Sequence, residues 1–281
     1  MCQFCVEHGD GKRWYLEASN YAADLSSDLE RRGYIVDFLS GFDTMRARAI
    51  GGMEFLEMLP GPIERRGKKL FSRRMQKVHY GQPVPIEECA EIFDIATSIV
   101  RIPCVCRTFA GHKPEALCVL VTTQPMTPVL EEGFKDYVDG PDVSSFEQLT
   151  KQEALTLLER CETRGLMHSV WTFLTPFVGA ICNCNVQSGC VAMKLTVGYS
   201  MPLMWRGEWV AQLDRASCSG CRQCLSLCPF GALTASGDGG SHGVRLDTSA
   251  CWGCGICRRA CSFDALSLVD RRSVAEVANV W

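Results

Sequence analysis

The chain has 281 residues, 47% of them hydrophobic, and a formal net charge of −3, enough apolar matter for a real core spread over two domains. Its eighteen cysteines follow no charged n-region, apolar h-region or cleavage site, which excludes a secreted disulfide framework and predicts metal ligands in an oxygen-sensitive, cytoplasmic protein. The longest apolar stretch, Val170 to Cys182, is interrupted by Pro176 and falls short of the ~20 residues of a spanning helix, so no membrane span is expected.

In chain order the first feature is Cys2-Gln3-Phe4-Cys5-Val6-Glu7-His8. Soft and borderline ligands at three-residue intervals make Cys2, Cys5 and His8 candidate metal ligands, for iron–sulfur or zinc. The following Gly9-Asp10-Gly11-Lys12 lacks the spacing of a phosphate loop. Arg65 to Lys77 is strongly basic and reads as a solvated helix or linker, with an acidic protein partner as the sharper alternative. The absence of interleaved aromatics argues against nucleic acid.

Pro85 opens a predicted helix in which Cys89, Phe93, Ala96 and Val100 share an apolar face, making Cys89 a core residue. Thr150 with Glu153 forms a capping box that opens a second helix, where Cys161 follows Leu157 and Leu158 by one turn and also reads as core. His79, His112, His168 and His242 each stand alone and read as hydrogen-bonded or exposed.

The remaining N-terminal cysteines form constellations: Cys104-Val105-Cys106, then Cys118, then Cys182-Asn183-Cys184 and Cys190. In extended chain, residues two apart face the same side at roughly 6.6 Å. That separation suits thiolates on different irons of a cube better than two ligands of one zinc, whose sulfurs lie roughly 3.8 Å apart. Cys104, Cys106, Cys182 and Cys184 are therefore expected to hold a third cluster, with Cys118 and Cys190 as substitutes or further metal ligands. The alternative is a set of unligated core thiols on adjacent strands.

The strongest motif closes the chain. Cys218-x2-Cys221-x2-Cys224-x3-Cys228-Pro229 is repeated 33 residues on as Cys251-x2-Cys254-x2-Cys257-x3-Cys261, the spacing of a bacterial-type ferredoxin with two 4Fe-4S clusters. Three thiolates of each run wrap one cube and the fourth reaches the other. This assigns Cys218, Cys221, Cys224 and Cys261 to cluster 1, and Cys251, Cys254, Cys257 and Cys228 to cluster 2. Ala232-Leu233 and Ala265-Leu266 occupy equivalent places, and Ser236 to Ser241 reads as the exposed link between halves. Cys261 is followed by Ser262 rather than proline, which loses a helix stop without losing a ligand. Zinc sites use pairs of Cys-x2-Cys rather than triplets with a distal Cys-Pro. From residue 214 onward seven arginines face six acids without a lysine, so the acidic surface of many freely diffusing ferredoxins is absent and a docked subunit or domain is favoured.

Residues from about 83 to 195 resemble an uncharacterised family of anaerobe iron–sulfur proteins. The resemblance lies in Pro103-Cys104-Val105-Cys106-Arg107, Gly165-Leu166-Met167-His168 and Ile181-Cys182-Asn183-Cys184, ahead of a closing dicluster ferredoxin domain. It implies electron carriage and cofactor binding beyond the ferredoxin clusters. Family members often carry further cysteines after Cys-Asn-Cys; here Asn185 takes one such place and Cys190 remains nearby.

The sequence thus predicts an α+β protein: a mixed α/β, cysteine-rich metal-binding domain over 1–205, a 2×4Fe-4S ferredoxin-like domain over 206–270 and a tail over 271–281. The expected function is a relay of single electrons through the two ferredoxin clusters and at least one N-terminal cluster to a larger redox enzyme. The lack of a nucleotide or flavin fingerprint favours a subunit of an oxidoreductase complex over a self-contained enzyme. The alternatives are a reductase with a site-differentiated catalytic cluster in the N-terminal domain, and a redox-sensing regulator using the basic stretch and the Lys151–Thr163 helix.

Overall fold

The computed structural model describes residues 13–21, 28–112, 115–123, 146–236 and 243–280. Cys2, Cys5, His8, His242 and most of the link after Ser236 lie outside them. Three helices come first: α1 (Leu29–Ser40), α2 (Phe42–Glu57) and α3 (Gly61–Val78). The Asp28 carboxylate caps α1, accepting from the Arg31 backbone N–H at 2.9 Å, and Pro62 sits in the first turn of α3, where its missing donor is not needed.

The basic stretch therefore lies within α3, with Arg65, Arg66, Lys69, Arg73, Arg74 and Lys77 exposed. The exception is Lys68, buried where its ammonium donates to Glu64 Oε1 at 2.7 Å and to the Tyr199 carbonyl at 2.5 Å. That pairing anchors the helix to the segment after residue 198.

A six-stranded antiparallel sheet follows, ordered β1-β5-β6-β3-β2-β4. Its strands are β1 (Gly81–Val84), β2 (Ser98–Pro103), β3 (Ala116–Thr122), β4 (Glu147–Gln148), β5 (Met167–Thr172) and β6 (Val178–Cys184). Helices α4 (Ile86–Ile95), α5 (Val105–Phe109) and α6 (Lys151–Thr163) interrupt them. Strand alternation divides the side chains between two faces. Ile99, Leu117, Val119, Val121, Val170 and Ile181 pack with α4, α6, Trp14, Tyr15 and Tyr21. Val100, Ile102, Cys118, Leu120 and Ala180 face the other way, toward Leu39 and Phe38 of α1.

Cys89 and Cys161 fill the first of these cores, both fully buried, and the Thr150 capping box opens α6. One expectation fails here. Helix α4 stops at Ile95, Ala96 turns to extended backbone, and Val100 lies on β2 facing away from Cys89. A helical period read past residue 95 carried the apolar face into a strand, where the period is two.

The C-terminal part is a pair of two-stranded ladders: β7 (Trp209–Leu213) with β10 (Leu266–Asp270), and β8 (Leu233–Ala235) with β9 (Val244–Leu246). Helix α7 (Gln223–Leu227) and a 3-10 turn over Ile256–Ala260 occupy equivalent places in the two halves. Residues 271–280 pack against this part. Val277 joins its core, and the buried Arg271 guanidinium donates to the carbonyls of Gly207, Trp209 and Cys251 at 2.8–3.0 Å.

The C-terminal part lies against the sheet. The Gly207 N–H donates to the Trp252 carbonyl at 2.9 Å, and Arg258 makes a two-pronged bridge to Glu87 at 2.8 and 2.9 Å. Among the described residues no helix is long and apolar enough to cross a membrane.

Candidate metal centres

The eight C-terminal cysteines fall into two groups in space. Cys218, Cys221, Cys224 and Cys261 line one small cavity. Cys254 and Cys257 lie within electrostatic reach of Cys251 and Cys228. Each group thus combines three cysteines of one run with the last of the other. Gly220, Gly253 and Gly255 hold left-handed backbone in the two loops, turning successive thiols toward a common centre.

Backbone amides serve these sulfurs: Ala232 N–H donates to Cys228 Sγ at 3.2 Å, Ala265 to Cys261 at 3.3 Å and Ala211 to Cys251 at 3.3 Å, and Gln223 and Ile256 N–H groups serve Cys221 and Cys254. Ala232 and Ala265 are the pair repeated 33 residues apart, so the repeat encodes a donor as well as a ligand. Such N–H bonds favour a thiolate and raise the potential of a cluster it holds. Among the described residues no three His, Cys, Asp or Glu side chains converge as ligands of a single metal ion. A cube needs a ring of thiolates around a space, since each sulfur binds a different iron, and the cavity lined by four cysteines meets that need.

Residues 217–265 match the family of 4Fe-4S dicluster domains. The match takes in all eight cysteines, and this domain gives the chain an iron–sulfur electron-transfer role. Among curated proteins none matches the chain.

The N-terminal cysteines are also drawn together. Cys182 and Cys184, two apart on β6, Cys118 on β3, and Cys104, Cys106 and Cys190 all line one cavity of about 700 Å³. The thiol contacts have a definite pattern. Cys104 touches Cys106, Cys118 and Cys184; Cys190 touches Cys106 and Cys184; Cys118 also touches Cys182. Cys104, Cys106, Cys190 and Cys184 therefore close a ring of four, and Cys118 and Cys182 form a pair beside it.

Cys104 and Cys106 reach this site by a different route from the one expected. Only Cys182–Cys184 is extended. Cys104 precedes α5 and Cys106 lies inside it, because β2 ends at Pro103 and the chain turns directly into a helical segment. The pair spans a strand-to-helix corner, and both thiols still line the cavity.

The Cys104 thiol is held well below the usual range, chiefly by contacts with Cys106, Cys118 and Cys184 and then by the Arg107 backbone N–H. Cys190 is lowered by contacts with Cys106 and Cys184 and by the Met193 N–H. Their neighbours Cys106, Cys118 and Cys184 are pushed up in turn. The Arg107 side chain turns the other way, within electrostatic reach of Cys161 in the first core, and its Nη1 meets Glu115 Oε2 at 3.2 Å. Several soft sulfur donors gathered at one cavity are the donor type that iron–sulfur groups take.

The rest of the cavity is mainly apolar, with walls from Phe38, Phe42, Met75, Trp171 and Phe173, and with Asp37, Arg46 and Arg48 also lining it. His79 also lines it, stacked on Trp171 at 4.9 Å; burial lowers its pKa to about 4, so it is neutral near pH 7. The α1–α2 wall is not legible as a sequence pattern, since no motif joins residues 35–49 to the distant cysteines, whereas His79, expected to be hydrogen-bonded or exposed, meets the Thr172 carbonyl at 2.6 Å. His168, by contrast, is buried and pairs with Asn183 Oδ1 at 2.6 Å, the hydrogen-bonded histidine expected from its isolation.

Proposed function

We propose that the chain relays single electrons between a redox partner or larger oxidoreductase complex and a third iron–sulfur cluster in its N-terminal part, by way of the two clusters of its dicluster domain. Cys218, Cys221, Cys224 and Cys261 hold the first cube, and Cys251, Cys254, Cys257 and Cys228 the second. Cys104, Cys106, Cys184 and Cys190 hold the third. One observation carries the reading: Cys184 and Cys190 pack in the same apolar cluster as Cys254 and Ile256. Two thiols of the N-terminal ring and a candidate ligand of the second cube thus share one apolar cluster. The closed ring of contacts favours Cys190 over Cys182 as the fourth ligand. In this arrangement the group would supply a one-electron store, while the chain positions the thiols in an apolar setting and donates the Arg107 and Met193 backbone N–H groups to Cys104 and Cys190.

Iron and acid-labile sulfide in anaerobically purified protein test this. About twelve irons per chain are expected for three cubes, falling to about eight in Cys184→Ser. About eight in the unaltered protein would sink the third cluster while leaving the dicluster domain intact.

The 700 Å³, mainly apolar cavity beside the ring favours a second reading, in which the third cluster acts on a bound small molecule. A shift of its spectrum on adding small ligands would select that reading; unchanged spectra would select the relay.

A further inference from the structure

The ring of four uses up the ligands of one cube and leaves two thiols over. The register Val119↔Ile181, Leu120↔Ala180, carried one residue further, sets Cys118 on β3 opposite Cys182 on β6. Residues directly opposite in an antiparallel pair have Cα atoms about 4.5–5.5 Å apart, within the roughly 4.4–6.8 Å that a disulfide spans. The two thiols are in contact, face the same cavity, and differ in environment. Cys118 is buried against Cys104, a member of the ring, whereas Cys182 is partly exposed. Cys89 and Cys161, the structural thiols, show neither feature: each is sealed in the other core, away from any cysteine pair.

We propose that Cys118 and Cys182 are a redox-active dithiol that collects electrons from the iron–sulfur relay two at a time and passes them to a small disulfide entering the cavity. The proposal rests on the third-cluster reading above. The steps balance. Cys182, the accessible thiol, loses its proton and attacks one sulfur of the substrate disulfide; the substrate S–S bond breaks, one substrate thiol leaves with a proton, and Cys182 is held in a mixed disulfide. Cys118 then attacks Cys182 Sγ, releasing the second substrate thiol and closing the Cys118–Cys182 disulfide. Two electrons from reduced 4Fe-4S carriers, arriving singly, and two protons from solvent reopen it to two thiols. The walls are mainly apolar, with Phe38, Phe42, Phe173 and the neutral His79, and Asp37, Arg46 and Arg48 also line them; they suit a disulfide with an aromatic or aliphatic body.

Three measurements on the full-length protein decide it, with Cys118→Ser and Cys182→Ser as variants. Iron content comes first: both variants keep about twelve irons, because neither residue is a ligand of the cube. Loss of about four in either makes that residue a ligand and overturns the dithiol. About eight in the unaltered protein as well as in both variants instead overturns the third cluster itself. Second, anaerobic reductive titration of oxidised protein takes about five electrons per chain, three for clusters and two for the disulfide, against about three in either variant. Equal uptake in all forms overturns the proposal. Third, brief exposure of reduced Cys118→Ser to dithiodipyridine leaves a thiopyridyl adduct that peptide mapping finds on Cys182. Unaltered protein treated alike gives the internal Cys118–Cys182 disulfide instead. An adduct that never forms at Cys182, or persists equally in the unaltered chain, contradicts the assignment.

Discussion

Gly253 lies between Cys251 and Cys254 at φ +76°, and a Cβ added there would stand 2.1 Å from the Trp209 carbonyl oxygen. That obstacle is backbone. Trp209 begins β7, is paired with Asp270 of β10, and its carbonyl accepts from Arg271 at 3.0 Å, so it cannot swing aside. For Gly253→Ala the left-handed backbone costs about 1–2 kcal/mol, and the forced shift of strand against loop adds about 1–3 kcal/mol, giving a loss of about 3 kcal/mol. Gly231→Ala separates the two contributions: φ is +70° and no atom lies within 4 Å of the added Cβ, leaving only the strain of about 1–2 kcal/mol. The midpoint of anaerobic guanidinium unfolding reads both, and the half-life of visible absorbance in fixed denaturant reports the kinetic side. Gly253→Ala is expected to fall clearly below Gly231→Ala and to bleach faster. Equal behaviour would refute the claim that the loop of the second cube is wedged against β7.

The buried Glu208 carboxyl offers a pH test. Burial and then repulsion from Glu88 raise its pKa to about 7, against the lowering bond donated by Gln82 Nε2 at 3.0 Å. A folded-state value above the unfolded one means that Glu208 favours the fold most below about pH 4.5, and that this contribution is lost as pH rises through about 7. Glu208→Gln is expected to flatten that part of the stability profile, whereas an unchanged slope would place the titration elsewhere. Thr150→Ala breaks the capping box of α6 by removing the hydroxyl oxygen that accepts from the Glu153 N–H at 3.3 Å. It should destabilise by about 1 kcal/mol with iron content unchanged, and an effect within error would show the cap to be redundant. Arg258→Ala removes the bridge to Glu87, whose partners are partly exposed, and should cost no more than about 1 kcal/mol; a much larger loss of cluster 2 absorbance would assign Arg258 a role beyond docking.

The legible parts of this chain were those written in short-range spacing. The two cysteine runs and the Ala232/Ala265 repeat needed no tertiary information, and the capping box at Thr150 and the core positions of Cys89 and Cys161 follow from one helical turn. What stayed hidden depends on pairing between distant segments. Nothing in the sequence says that β3 lies beside β6, and only that adjacency puts Cys118 opposite Cys182. Cys190, set aside as a substitute ligand, enters the ring because the chain after β6 turns back through Val186–Ser188 and delivers it beside Cys184. The Cys104–Cys106 pair misled in the opposite sense: two cysteines with one residue between them suggest a strand, but Pro103 ends β2 and Cys104 opens a helix. The residues named as the tail carry Arg271, whose three carbonyl partners include that of the cluster-ligand candidate Cys251, a contact no local pattern announces.

The central claim is that a third cluster joins the two of the dicluster domain in one electronic path. Low-temperature EPR of the fully reduced, anaerobic protein tests it most directly. About three unpaired spins per chain are expected, with mutual broadening, falling to about two with a sharpened signal in Cys184→Ser. About two spins in the unaltered protein, identical in the variant, would contradict it.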